Sequence, residues 1–267
     1  MHPSGDVRTF PPVEAADHPN AGRGPIAAEL LEAARQAIGA AQELGTRMRL
    51  LGGIAVHHLA ESSRREPLAR TYHDYDVVVP PREGSVAAKV FRALGYREDP
   101  HFNALHGAQR LIFSSTSGFD VDVLVGTFQM CHRLELGSDL PESGLTIHPA
   151  DLLLTKLQIV EIEEKDLRDS VALLADVAVG EDPEAISPRR FTHPLAADWG
   201  FFHTVERNLE RVDTYAERTI GARGAGAVRL AVEALRAEME RAPKSAKWKL
   251  RARVGERVAW YELPEEV

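Results

Sequence analysis

Two acidic pairs set into valine-rich runs, DYDVVV at 74–79 and DVDVLV at 120–125, constrain this chain more than any other feature. Alternating residues of a β-strand share a face, so Asp74 and Asp76 project together, as do Asp120 and Asp122. The valines mark buried strands. Carboxylates held side by side on such strands repel one another, and a cation between them is the natural relief. Hard divalent ions favour oxygen ligands, and Mg²⁺ commonly takes one or two carboxylates together with substrate phosphates. Chemistry with two ions about 3.5–4 Å apart needs shared and separate ligands, hence a third acid from a neighbouring strand. Parity does not choose between Asp120 and Asp122. Asp122 has an apolar residue on each side and lies deeper in its strand, so it is expected to be the third ligand, with Asp120 auxiliary. The expected catalytic and metal residues are therefore Asp74, Asp76 and Asp122, with two Mg²⁺ ions.

Upstream, RMRLLGGIAVHHLAES reads as a strand from Met48 to Leu51, a Gly52-Gly53 turn and a helix from near Ile54. Glycines at such a turn bare backbone N–H groups, and the positive end of the helix can meet a triphosphate. An NTP is the expected substrate. Residues 108–126 read as a hairpin, with AQRLIFSST and FDVDVLVG joined at Ser117-Gly118, so the sheet is partly antiparallel. An apolar stripe through Leu30, Leu31, Ala34, Ile38 and Ala41 predicts a helix ending at Gly45, and another runs through Ala87, Val90, Phe91 and Leu94. After Pro149 the pattern is helical only. The expected class is α+β: a mixed twisted sheet flanked by helices over residues 25–148, then a helical region over 149–267. Residues 1–24 lack periodicity and read as a mobile arm.

The formal net charge of −8 argues against a protein that coats nucleic acid non-specifically, because such binding rests on cations that neutralise phosphates. A local exception lies near the C-terminus, where Arg241, Lys244, Lys247, Lys249, Arg251, Arg253 and Arg257 face only Glu256. The single cysteine, Cys131, forms no internal disulfide and has no zinc-type spacing around it, and no run is apolar enough for a signal peptide or a membrane span. A cytoplasmic protein with no membrane partner is expected. His57 and His58 are adjacent, which turns their side chains apart on a helix, and packing is the expected role. Asp166 and Asp169, one helical turn apart, are expected to orient neighbouring helices.

The order LLGGIAVHHLA, then Arg70 four residues before DYDVVV, then FDVDVLV, HPADLLLTKL and EKDLRDSVALL resembles the nucleotidyltransferase superfamily with its polymerase-beta-like fold. Within it, the order is similar to the AbiEii-type abortive-infection toxins. The resemblance covers roughly residues 47–175. It implies that Gly52 and Gly53 form the phosphate turn, that Arg70 belongs to the nucleotide site, and that Lys156 faces the triphosphate. It also implies transfer of a nucleoside monophosphate to a hydroxyl of tRNA or of a protein, and a cognate antitoxin as partner. The competing expectations are transfer to a small antibiotic of the aminoglycoside or lincosamide type, and a catalytically inert nucleotide-binding module.

Overall fold

The two valine-rich runs pair with each other at the centre of a five-stranded mixed sheet. The computed structural model describes residues 26–263; the arm expected at residues 1–24 lies outside them. The strands are β1 (Arg49–Leu51), β2 (Asp74–Val79), β3 (Arg97–Glu98), β4 (Arg110–Ser114) and β5 (Asp120–Val125), in the order β1-β2-β5-β4-β3. β2 and β5 run parallel, from Asp74 beside Asp120 to Val79 beside Val125, and the other neighbouring pairs are antiparallel. Both central strands begin with alternating burial and end in a fully buried run, as strands covered on both faces do. Their acids therefore sit at the open end of the sheet.

α1 (Ala27–Glu43), α2 (Gly52–Leu59), α3 (Gly84–Ala93) and α4 (Pro100–His106) accompany the sheet. The buried face of α1 is Leu30, Ala34, Ala37, Ile38 and Ala41, the stripe its periodicity predicts. α2 starts at Gly52 rather than near Ile54, so both glycines belong to its first turn. The expected hairpin of β4 and β5 forms, but with a three-residue loop, 116–118, which sets Ser114 opposite Asp120 and Ile112 opposite Asp122, one residue from the pairing a two-residue turn would give. Not anticipated are β3, α4, and a second hairpin of β6 (Thr127–Gln129) and β7 (Arg133–Glu135).

The remainder is α5 (Pro149–Leu157), α6 (Glu164–Asp176), α7 (Pro188–Ala197), α8 (Trp199–Arg241) and α9 (Ala246–Val254). Every residue of α5 is buried, since α2, α6, α7 and α8 surround it. α8 is broken at Gly221, whose φ of 69° and ψ of 166° are open to glycine and strained for other residues. The break lets its second arm fold back on the first, where Arg229 pairs with Asp213 and Arg236 donates to the Glu206 carbonyl. One cluster of buried apolar residues runs from Leu30 to Met239, so the helices after residue 148 share a core with the sheet. The architecture is α+β. Among the described residues no helix is long and apolar enough to cross a membrane.

Candidate active site

Parallel register brings the four acids together. Asp74 lies beside Asp120 and Asp76 beside Asp122, all on one face of the sheet. Asp74 and Asp120 are exposed at the strand starts, and the Ser114 hydroxyl donates to Asp120 at 2.8 Å. Asp76 and Asp122 lie one step deeper and are half-buried. Burial, then the Asp122 and Asp74 charges, push the Asp76 carboxyl up to about 7, against the pull of Lys156 and Arg110. As a free anion it is poorly placed. A hard cation would reverse that, so the donor set at Asp74 and Asp76 fits Mg²⁺.

Asp122 is held differently. Arg110 Nε donates to its two oxygens at 2.9 and 2.8 Å, and Arg110 Nη2 donates to Oδ2 as well. The arginine reaches it because Arg110, Ile112 and Ser114 share the acidic face of the sheet by the same period-two rule. Which face that trio takes is set by the three-residue loop at 116–118, which the sequence's Ser117-Gly118 turn does not predict. Among the described residues no group of three or more His, Cys, Asp or Glu side chains is arranged to hold a metal ion. The expected trio of Asp74, Asp76 and Asp122 thus shares a face without closing into a three-acid nest, because a guanidinium occupies the third acid.

At Gly52 the backbone turns with φ at 70°, and a β-carbon there would land in the Asp76 carboxylate. The Asp76 carboxylate and the first turn of α2 are therefore in direct contact, so a cation held by Asp76 would lie beside the N–H groups of that turn. Gly53 serves another purpose. A β-carbon on it would strike the Arg70 guanidinium and the Tyr72 ring, so this glycine makes room for Arg70 rather than opening towards solvent.

Arg70 donates from Nε and Nη2 to the two oxygens of Asp169, at 2.9 Å each, and its guanidinium lies 4.3 Å from the Tyr72 ring centre. Lys156 Nζ reaches the same Asp169 at 3.0 Å and Asp166 at 3.3 Å. Burial pushes the Asp169 carboxyl up, but Lys156 and Arg70 outweigh it and hold the group below the usual carboxylate range. Asp169 is the hub that sequence reasoning undervalued: it does orient helices, and it also fixes both cations expected to serve the nucleotide. Asp166 Oδ2, the Tyr72 hydroxyl and His57 Nδ1 are buried beside this network without a hydrogen-bond partner among the described residues.

The basic C-terminal segment forms α9 and its flanks. Arg251 donates to the carbonyls of Gly255, Val258 and Ala259 and covers the Trp199 ring, so it folds the tail. Trp248 packs edge-on against Phe202 at 5.3 Å and anchors the helix. Lys247, Lys249, Arg253 and Arg257 remain exposed.

No family model and no curated protein matches the chain. Among solved structures, an antigenic nucleotidyltransferase-like protein from Paracoccidioides brasiliensis aligns over 84% of this chain and 98% of that one, with 12% identity and a TM-score of 0.42. Similarity at that level leaves the functional reading to the residues themselves.

Proposed function

We propose that the protein is a cation-dependent nucleotidyltransferase that moves a nucleoside monophosphate from an NTP to a hydroxyl on an acceptor. The observation that carries this reading is the parallel pairing of two D-x-D strands directly against the glycine turn at the start of α2. Asp74 and Asp76 hold the cation, and the α2 N–H groups receive the phosphates beside it. Asp169 keeps Arg70 and Lys156 fixed and charged at the edge of this site, where they draw the triphosphate's negative charge. When bound, Mg²⁺ neutralises the triphosphate and the departing pyrophosphate as a Lewis acid.

The acceptor in this reading is tRNA or a protein, and the helical region after residue 148 binds it. The exposed cations of α9 favour the RNA alternative, because they concentrate positive charge on an otherwise acidic chain. A toxin neutralised by a cognate antitoxin in the cytoplasm is the corresponding biological role. The experiment is incubation of the full chain with each labelled NTP, Mg²⁺, total RNA and lysate protein, in parallel with Asp76→Asn. Label on RNA or protein that falls on the order of a hundredfold or more in the variant is expected. No transfer from any NTP, or equal transfer by the variant, would sink the reading.

A further inference from the structure

A carboxylate on a buried strand needs a counter-charge, and this chain meets that need at its two inner acids in two different ways. Asp76 has the α2 turn beside it and, among the described residues, no arginine bonded to it. Asp122, its partner across the parallel pair, is clasped by Arg110 through both oxygens. The clasp is built into the sheet. β4 and β5 are joined by the three-residue loop at 116–118, and their register sets Arg110 diagonally across from Asp122 on the same face. The guanidinium also lies 5.5 Å from the Phe102 ring centre in α4, which fixes its approach. A bidentate arginine is a permanent charge of fixed geometry, and a carboxylate with both oxygens so engaged has little left to offer an ion.

We propose that Arg110 supplies, as part of the chain, the positive charge that a second divalent ion would bring to Asp122, so that the protein holds one ion, at Asp74 and Asp76. The inference rests on the nucleotidyltransferase reading for its purpose, but it is tested by binding alone. Arg110 is then a positioning residue: it keeps Asp122 turned from the ion and holds cationic charge beside the site in every state. It also revises the expectation of two Mg²⁺ ions.

Mn²⁺ is the probe, counted by the paramagnetic resonance signal of the free ion over the full chain without nucleotide. The wild type is expected to bind one Mn²⁺. Arg110→Met, which keeps a long apolar stem against Phe102 and removes the charge, is expected to bind two. The double variant Arg110→Met with Asp122→Asn is expected to return to one. The side chain of Arg110 is 41% exposed, so the substitution is not expected to prevent folding; Arg110→Gln provides the same count should the methionine variant precipitate. A second readout is thermal. Mn²⁺ should raise the Tm of Arg110→Met by more than that of the wild type, a difference that a purely structural arginine would not create. Two ions on the wild type, or one on both charge-removing variants, overturns the proposal while leaving nucleotidyl transfer intact. No ion on any of the proteins overturns the metal reading as well.

Discussion

At Gly52 two requirements meet in one residue: a left-handed backbone and the absence of a β-carbon in front of Asp76. Gly52→Ala is expected to lose about 1–2 kcal/mol from the backbone alone, and more from displacing the carboxylate. Urea unfolding and Mn²⁺ affinity measure the two effects separately, and an alanine variant that matches the wild type in both would remove the close approach from the account. Asp76→Asn should act in opposite directions on stability and function. It relieves a half-buried carboxylate of its like-charged neighbours, so without divalent ions the Tm is expected to rise by about 2–4 °C, the size of a ~1 kcal/mol change in a chain this long. Nucleotidyl transfer should be lost, and a Tm that falls would show that Asp76 is already compensated by the protein. These residues were legible because their chemistry is local, with a doublet of glycines and acids at period two. Asp169 was less so, since its partners Arg70 and Lys156 lie 99 and 13 positions away and only the packing of α6 against α2 and α5 unites them.

Among the elements, those long enough to repeat their period were readable: α1, the strands β2 and β5, and the hairpin that carries Asp122. β3, of two residues, and the β6–β7 hairpin, with strands of three, are too short to show alternation, and tertiary pairing decides them. α7 carries Pro194 inside it, a residue that argues against a helix in sequence and is tolerated here within three residues of its end. In the sequence α9 shows only as a run of basic residues. It buries none of its residues fully, so no apolar stripe marked it, and it stands on a Ser245 cap and the Trp248 anchor. That arrangement selects which charges to reverse. Lys247→Glu, Lys249→Glu and Arg253→Glu together should leave the tail folded, whereas Arg251 is excluded because its carbonyl contacts hold the tail. If RNA is the acceptor, labelled transfer to total tRNA at two salt concentrations should fall in the triple variant and depend less steeply on salt, with NTP affinity unchanged. Equal transfer by both proteins would remove RNA from the reading.

At the scale of the whole molecule, a buried imidazole is one of the groups that join the sheet to the helices after residue 148. His132, in the turn of the β6–β7 hairpin, stacks on Phe201 of α8 with ring centres 4.9 Å apart, and its backbone N–H donates to Gln158 at 3.0 Å. Its Nε2 lies 2.9 Å from the Thr204 hydroxyl, which also accepts the Trp260 indole N–H at 3.1 Å. Thr204 therefore has its own hydrogen to donate to an unprotonated Nε2. Protonation would turn that acceptor into a donor and leave the hydroxyl hydrogen without its partner. Burial lowers the His132 pKa to about 4, with Asp198 opposing weakly. The sign follows from linkage: the unfolded chain takes up this proton near pH 6.5 and the folded chain only near 4, so the folded state loses stability as pH falls through that window. Between pH 7.5 and 5.0 the loss from His132 is expected to be about 2 kcal/mol, from roughly 1.4 kcal/mol per pH unit below 6.5. His57, His58 and His148 are also shifted down, each by burial first, and act in the same direction, whereas Asp76, raised to about 7, gains stability as pH falls, so the comparison with a variant and not the total isolates His132. His132→Gln isolates the one group, because its side-chain oxygen can accept from Thr204 and carries no proton to titrate. Urea unfolding of both proteins at the two pH values is the measurement, and the wild type should lose about 2 kcal/mol more than the variant on acidification. An equal loss in both would mean that the hairpin opens and lets His132 protonate without cost, and that the junction between sheet and helices is looser than its packing implies.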